Sequence, residues 1–124
     1  MKGEKEISFV YELCKQPFII LADEQQMEQV IINVVKNGIE AIDKKGMVTF
    51  TTNISQKQLT ITDNGRGIPA DEIDQLFTPF FSTKTDGQGI GLTLVKEILI
   101  NHGIDFSLQS NDQGQTSFNF GFVN

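Results

Sequence analysis

The chain has 124 residues, of which 39% are hydrophobic and 21% charged, and its net charge is −6. This length suits one compact domain that buries its own core without disulfides. The acidic balance argues against nucleic acid as the main partner, because a phosphate backbone is bound by clustered Lys and Arg. The sequence has no apolar run near the roughly 20 residues that span a bilayer, and its first residues form no signal peptide. We expect a cytoplasmic chain without direct membrane contact, whose parent protein can still be membrane-anchored.

Cys14 and His102 are the single cysteine and the single histidine of the sequence. One residue of each kind rules out an internal disulfide and any cluster of cysteine or histidine ligands for zinc. We expect Cys14 to be a small, partly buried apolar side chain.

The first half of the chain predicts strands at residues 7–11 and 18–21, followed by a long helix. Asp23 is a good N-cap for this helix, with Gln26 three residues later as in a capping box. The helix is predicted to stop at residues 44–46. Its apolar residues recur at helical spacing on one face, namely Met27, Val30, Ile31, Val34, Val35, Gly38, Ile39 and Ile42.

Alternating residues in the segments 48–54 and 59–63 predict a β-hairpin. A short helix at 71–77, a second strong helix at 90–100 and two closing strands at 104–108 and 118–122 follow. Mostly antiparallel strands with inserted helices predict an α+β fold. We expect a two-layer α/β sandwich, in which a mixed, mostly antiparallel sheet is covered on one face by about three helices.

Gln29, Asn33 and Asn37 are spaced four residues apart, so they lie in one row along the first helix. The row follows the border of the apolar stripe, and amide oxygens there are hard ligands that suit magnesium. For this row alone, a solvated helix edge is the simpler interpretation.

Asp63 ends a predicted strand on which Leu59, Ile61 and Asp63 share one face. Because the other two residues are apolar, Asp63 is expected to point inward, where its carboxylate needs a donor such as the amino group of adenine. Gly65 and Gly67 let the backbone approach a ligand closely or adopt a positive φ. A simple Asp-Asn-Gly turn explains this motif equally well.

The segment Gly87-Gln88-Gly89-Ile90-Gly91-Leu92 runs directly into the second helix. A glycine-rich loop at a helix N-terminus offers free N–H groups to phosphate oxygens. The segment lacks the preceding strand of a dinucleotide fold and the Gly-Lys-Ser/Thr ending of a P-loop.

Three phenylalanines lie in the loop-like segment Phe77-Thr78-Pro79-Phe80-Phe81-Ser82-Thr83-Lys84. Large apolar groups gain little in a surface loop, so we expect a lid that docks on a ligand or partner, or a loop pinned to the core. Lys84 is either a donor to phosphate or a plain surface lysine.

Four motifs, in this order and at this spacing, resemble the N, G1, F and G2 boxes of histidine kinase catalytic domains: Asn33…Asn37, Asp63-x-Gly65-x-Gly67, Phe77-x-Pro79-Phe80-Phe81 and Gly87-x-Gly89-x-Gly91. The likeness covers about residues 23–120. The family has the Bergerat-type α/β sandwich, in agreement with the predicted layers. In one departure, Gly38 stands where the family usually has alanine.

The resemblance implies ATP and Mg²⁺ as cofactors. Asn33 and Asn37 would hold the magnesium. Together with Lys84, which would donate a hydrogen bond to a phosphate, they would form the catalytic set. Asp63 would accept the adenine amino group, with Thr116 supporting it. The other nucleotide contacts would come from Gly65, Gly67, Ile68, Phe80, Gly87, Gly89, Gly91 and Leu92.

The resemblance also implies partners. The γ-phosphoryl group would pass to a histidine on a separate dimerisation domain, which we expect to lie outside residues 1–124, and then to a response regulator. His102 lacks the acidic residue and the proline that follow an acceptor histidine, so we expect it to be a helix-end residue beside Gly103.

Two other functions remain open. An anti-sigma-type protein serine kinase shares the fold but generally lacks the phenylalanine box. A nucleotide-binding regulatory module would act by contact without catalysis. The related gyrase, chaperone and mismatch-repair ATPases carry a glutamate base where this chain has Asn33, so we expect slow hydrolysis.

Overall fold

The computed structural model describes residues 5–17, 19–67, 90–110 and 115–122. The described ranges contain β1 (Glu6–Glu12), α1 (Glu24–Ala41), β2 (Lys45–Asn53), β3 (Gln58–Asp63), α2 (Ile90–Asn101), β4 (Asp105–Ser110) and β5 (Thr116–Gly121). The hairpin, both long helices and the two closing strands are confirmed. The predicted helix at 71–77 lies outside the described residues.

The predicted strand at residues 18–21 is wrong over its described part, 19–21. Its side chains do alternate, because Ile20 packs on the core while Ile19 and Leu21 are each 87% exposed. No strand of the described sheet pairs with this segment. These residues lead into α1 without pairing to the sheet, so β propensity alone did not produce a strand here.

The five strands form one sheet in the order β1-β2-β3-β5-β4. β1 pairs with β2 in parallel, and the other three pairs are antiparallel, which confirms the mixed, mostly antiparallel sheet. The parallel pair requires a crossover connection, and α1 supplies it. The helices α1 and α2 contact each other as well as the sheet. Neither described helix is long and apolar enough to cross a membrane.

The helix α1 begins and ends through identifiable local contacts. The Asp23 carboxylate accepts a hydrogen bond from Gln26 N at 2.9 Å, which confirms the predicted N-cap. The helix ends at Ala41, earlier than the predicted stop at 44–46, and Gly46 belongs to β2. A Cβ on Gly46 would lie 2.8 Å from atoms of Ile42, so glycine at this position permits close packing rather than capping the helix.

The core lies between the helices and the inner face of the sheet. Val30 of α1, Val48 of β2, Leu99 of α2 and Phe120 of β5 are each 0% exposed. Burying a side chain of this kind contributes about 1.5–3 kcal/mol, so these contacts hold the two layers together. Cys14 is partly buried, as predicted, and its sulfur accepts a hydrogen bond from a hydroxyl of β2 at 3.2 Å.

Candidate functional site

Asp63 is the last residue of β3 and is 8% exposed, so it points inward as predicted. Its Oδ1 accepts a hydrogen bond from Gly65 N at 3.0 Å. Burial raises the pKa of Asp63 to about 6, although the Gly65 hydrogen bond and the charge of Arg66 act in the opposite direction. A carboxylate with this pKa is mostly ionised at neutral pH and is a strong acceptor for a ligand N–H group.

The Asp63 carboxylate lies against the backbone of α1 at Gly38. A Cβ built on Gly38 would be 3.2 Å from Asp63 Cβ and 3.3 Å from Oδ2. Alanine at this position would therefore require the Asp63 side chain to move by a few tenths of an ångström. This contact joins the end of β3 to the residue that directly follows Asn37, so the predicted adenine acceptor lies against the part of α1 that carries this predicted metal ligand.

Asn33 and Asn37 are both partly buried on α1, whereas Gln29 of the same row is exposed. Asn37 Nδ2 donates a hydrogen bond to the Asn33 carbonyl at 2.8 Å. This bond holds the amide nitrogen towards the helix backbone, and a hard cation would use the amide oxygen. No group of three His, Cys, Asp or Glu side chains that could hold a metal occurs among the described residues. Amide oxygens such as those of Asn33 and Asn37 are donors that suit a magnesium ion shared with phosphate oxygens, and their role as metal ligands stays a prediction.

The loop after Asp63 is folded onto the end of α1. Arg66 N donates to the Ala41 carbonyl at 3.0 Å. A Cβ on Gly65 would lie 2.5 Å from the same oxygen, so this glycine is required by a protein contact within the described chain. Gly67 has a φ of 77°, in the left-handed region that glycine favours. Both glycines thus shape the loop that begins at Asp63.

Asn64 is a further positioning residue that the sequence reasoning did not single out. Its Oδ1 accepts from Met47 N at 2.7 Å, and its own N–H donates to the Met47 carbonyl at 3.3 Å. The pair ties the loop to β2. An asparagine before a glycine could have indicated this role in the sequence, since the asparagine side chain often bonds to nearby backbone.

Thr116 is 6% exposed and stands directly opposite Asp63 in the register of β3 and β5. Its hydroxyl shares a hydrogen bond with Ser110 Oγ at 3.2 Å. Thr116 is thus a neighbour of the buried aspartate, and its supporting role towards Asp63 stays a prediction.

The start of α2 carries two of the predicted nucleotide contacts. Gly91 and Leu92 lie in its first turn, and Leu92 packs partly buried against the core. The remaining predicted site residues lie outside the described residues and stay predictions, namely Ile68, Phe80, Lys84, Gly87 and Gly89.

Comparisons with known proteins show which family the chain belongs to. The family model described as histidine kinase-, DNA gyrase B-, and HSP90-like ATPase matches residues 22–123. The chain is 37% identical over 101 residues to sensor histidine kinase ZraS of Escherichia coli (strain K12), covering 80% of this chain and 22% of ZraS. It is 40% identical over 94 residues to sporulation kinase C of Bacillus subtilis (strain 168), covering 74% of this chain and 22% of that kinase. The chain thus spans about a fifth of the length of these curated relatives.

Solved structures show the same architecture. The nucleotide-free catalytic domain of histidine kinase ThkA matches with a TM-score of 0.80 and 29% identity, over 94% of this chain and 79% of that one. Mycobacterial sensor histidine kinase MprB matches with a TM-score of 0.79 and 25% identity, over 92% of this chain and 79% of that one. The predicted fold class is confirmed, and membership of an ATPase family supports ATP as the nucleotide. The chain belongs to the histidine kinase-, DNA gyrase B- and HSP90-like ATPase family, and it resembles the catalytic domains of histidine kinases within that family.

Proposed function

We propose that residues 1–124 form a single catalytic domain that binds Mg-ATP and donates its γ-phosphoryl group to a histidine on a separate dimerisation domain. The observation that carries this proposal is the buried carboxylate of Asp63, which lies against Gly38 beside Asn37. Burying an ionisable carboxylate costs free energy. A ligand that donates to it offers a reason to keep the group there.

Asp63 would recognise the adenine end of the nucleotide. An ionised carboxylate accepts a hydrogen bond from the adenine amino group, and a charge-assisted bond is roughly twice as strong as a neutral one. The low dielectric of a site that is only 8% exposed strengthens the bond further. The bond from Gly65 N to Oδ1 would fix the orientation in which the carboxylate meets the base.

Asn33 and Asn37 would hold the magnesium through their amide oxygens. The ion would neutralise charge on the triphosphate, and Lys84 and the N–H groups at Gly87, Gly89 and Gly91 would add donors. Positioning and charge neutralisation account for most of the catalysis of phosphoryl transfer, so this set suffices without a protein nucleophile.

Asn33 favours transfer to a protein over hydrolysis of the nucleotide. A neutral amide cannot act as the general base that activates water. The names of the curated relatives, a sensor histidine kinase and a sporulation kinase, point to the same kind of chemistry. By analogy, we extend the proposal to a response regulator downstream and to a cytoplasmic location of this domain in its parent protein.

The test is calorimetric titration with a non-hydrolysable ATP analogue, with and without magnesium. We expect Asp63→Ala to abolish binding and Asn37→Ala to remove its dependence on magnesium. Gln29→Ala is the matched control, because Gln29 lies in the same row of α1 but is exposed. Absence of binding at millimolar analogue would contradict the proposal and leave a module that acts by protein contact alone.

If the analogue binds, transfer is tested next. The chain is mixed with ATP and a dimerisation domain that carries an acceptor histidine. We expect an acid-labile phosphoryl group on that histidine, and none when the acceptor is replaced by alanine. An acid-stable product on serine would instead identify the anti-sigma type of kinase.

A further inference from the structure

His102 follows the last residue of α2, and both of its ring nitrogens are engaged. Nδ1 lies 2.8 Å from the Ile98 carbonyl, and Nε2 lies 3.1 Å from Asp23 N. A backbone N–H can only donate and a carbonyl can only accept, so Nε2 is the acceptor and Nδ1 carries the proton. The hydrogen-bond network therefore assigns a neutral ring in the Nδ1–H tautomer.

The imidazole ring is also bonded to the end of its own helix. The His102 N–H donates to the Ile98 and Leu99 carbonyls at 3.1 and 3.2 Å, which continues the helical pattern. Gly103 then adopts a φ of 68° and ends the helix as the sequence predicts. Because Nδ1 bonds to the Ile98 carbonyl, the position of Nε2 is set by α2.

The bond from Nε2 reaches a different helix. Asp23 is the N-cap of α1, and its carboxylate is already used within α1 by Gln26 N. The backbone N–H of Asp23 lies before the first turn and has no partner within the helix ladder. His102 satisfies that donor across 79 residues of sequence and ties the N-terminus of α1 to the C-terminus of α2.

The bond from Asp23 N to His102 Nε2 fixes how α1 and α2 are aligned. Because the start of α1 lies beside the end of α2 and the two helices pack together, they run antiparallel. At 1.5 Å per residue, Asn33 and Asn37 lie about 15 and 21 Å along α1 from Asp23. Leu92 and Gly91 lie about 15 and 16 Å along α2 from His102. Asn33 therefore lies about as far from the bond between Asp23 and His102 as Leu92 and Gly91 do, and Asn37 lies about one turn farther along α1.

We propose that His102 is a positioning residue, which clamps α1 to α2 and so sets the spacing between the two groups that would hold the triphosphate and its magnesium. The inference rests on the proposed function. His102 and Asp23 do not bond to β3, and Asp63 is held in place by its own loop and sheet as well as by its contact with Gly38 of α1. Loss of the clamp is therefore expected to weaken binding of the triphosphate end while leaving the adenine end nearly unchanged.

Three substitutions separate the two bonds of the ring. In His102→Gln, the side-chain carbonyl reaches the place of Nε2 and can accept from Asp23 N. In His102→Asn, the shorter amide reaches the place of Nδ1 and can bond only to Ile98. His102→Ala removes both bonds.

Calorimetry with a non-hydrolysable ATP analogue and magnesium is the binding assay. We expect Kd to rise about fivefold in His102→Ala and His102→Asn, the effect of one net hydrogen bond, and to return to within about twofold of wild type in His102→Gln. The Kd for ADP without magnesium, which lacks the γ-phosphate and the metal, is expected to change less, by no more than about twofold. Thermal melting of each variant shows that it is folded.

The clamp itself is tested without nucleotide. In ¹⁵N-labelled protein we expect a scalar coupling between Asp23 N and His102 Nε2 across the hydrogen bond, and its absence would refute the clamp. If the coupling is present and all three variants bind both nucleotides as wild type does, the positioning role is refuted. A wild-type chain that binds no analogue refutes the proposed function instead, so the two failures are distinguishable.

Discussion

Replacing Asp63 with asparagine is expected to stabilise the fold at neutral pH while abolishing nucleotide binding. Burial raises the pKa of Asp63 from 3.8 to about 6. The folded chain therefore holds the proton more tightly than the unfolded chain does. As pH rises from about 4 to 6, the unfolded state loses its proton first, so stability falls, and the loss is complete above about pH 6.

The size of this effect follows from the two pKa values. Each pKa unit corresponds to about 1.36 kcal/mol, so the ionised carboxylate destabilises the fold by about 3 kcal/mol at pH 7.5 and about 1 kcal/mol at pH 4.5. Asparagine stays neutral at every pH and can still accept from Gly65 N through its Oδ1. Asp63→Asn should therefore recover most of this free energy. The recovered amount is a large share of the free energy of unfolding of a typical domain, roughly 5–15 kcal/mol.

Urea denaturation at pH 7.5 and pH 4.5 measures the gain. Asp63→Asn should be more stable than wild type at pH 7.5, and the difference should shrink by about 2 kcal/mol at pH 4.5. Asp105→Asn is the control, because Asp105 is an exposed carboxylate on β4. Equal stability of Asp63→Asn and wild type at pH 7.5, or the same gain at both pH values, would refute the reasoning.

Four further outcomes are expected. Asn33→Glu should speed hydrolysis of ATP to ADP, measured as phosphate release against Asn33→Gln, because a carboxylate four residues before Asn37 can act as a general base. Gly65→Ala should destabilise the fold by about 2 kcal/mol or more, because its Cβ would lie 2.5 Å from a backbone oxygen of α1. Gly103 has a φ of 68°, but a Cβ there would have no atom within 4 Å, so Gly103→Ala should lower the free energy of unfolding by only about 1–2 kcal/mol. Equal urea midpoints for Gly65→Ala and Gly103→Ala would contradict the close contact at Gly65. The affinity for nucleotide should decrease as the pH is lowered through about 6, because Asp63 takes up a proton. A nucleotide affinity that stays constant between pH 5.5 and 7.5 would exclude Asp63 as the acceptor.

Local patterns in the sequence determined most of the elements and the orientation of the central site residue. Leu59, Ile61 and Asp63 alternate with polar neighbours, and a strand with one buried face places all three side chains on that face. The same reasoning holds for the N-cap at Asp23, which needs only its own side chain and an N–H three residues later. Such features depend on short stretches of chain, so periodicity and residue type were sufficient to predict them.

The tertiary structure alone decided which distant segments meet. Residues 19–21 have strand propensity, but a strand requires a partner, and β1 lies at the edge of the sheet instead. The contact of Gly38 with Asp63 and the bond from Asp23 to His102 join segments that no periodicity relates. These contacts arise when two helices and a sheet are packed around one core, because their spacing depends on side chains from every layer together. Sequence motifs therefore named the residues of the candidate site, and packing brought Gly38 against Asp63 beside Asn37.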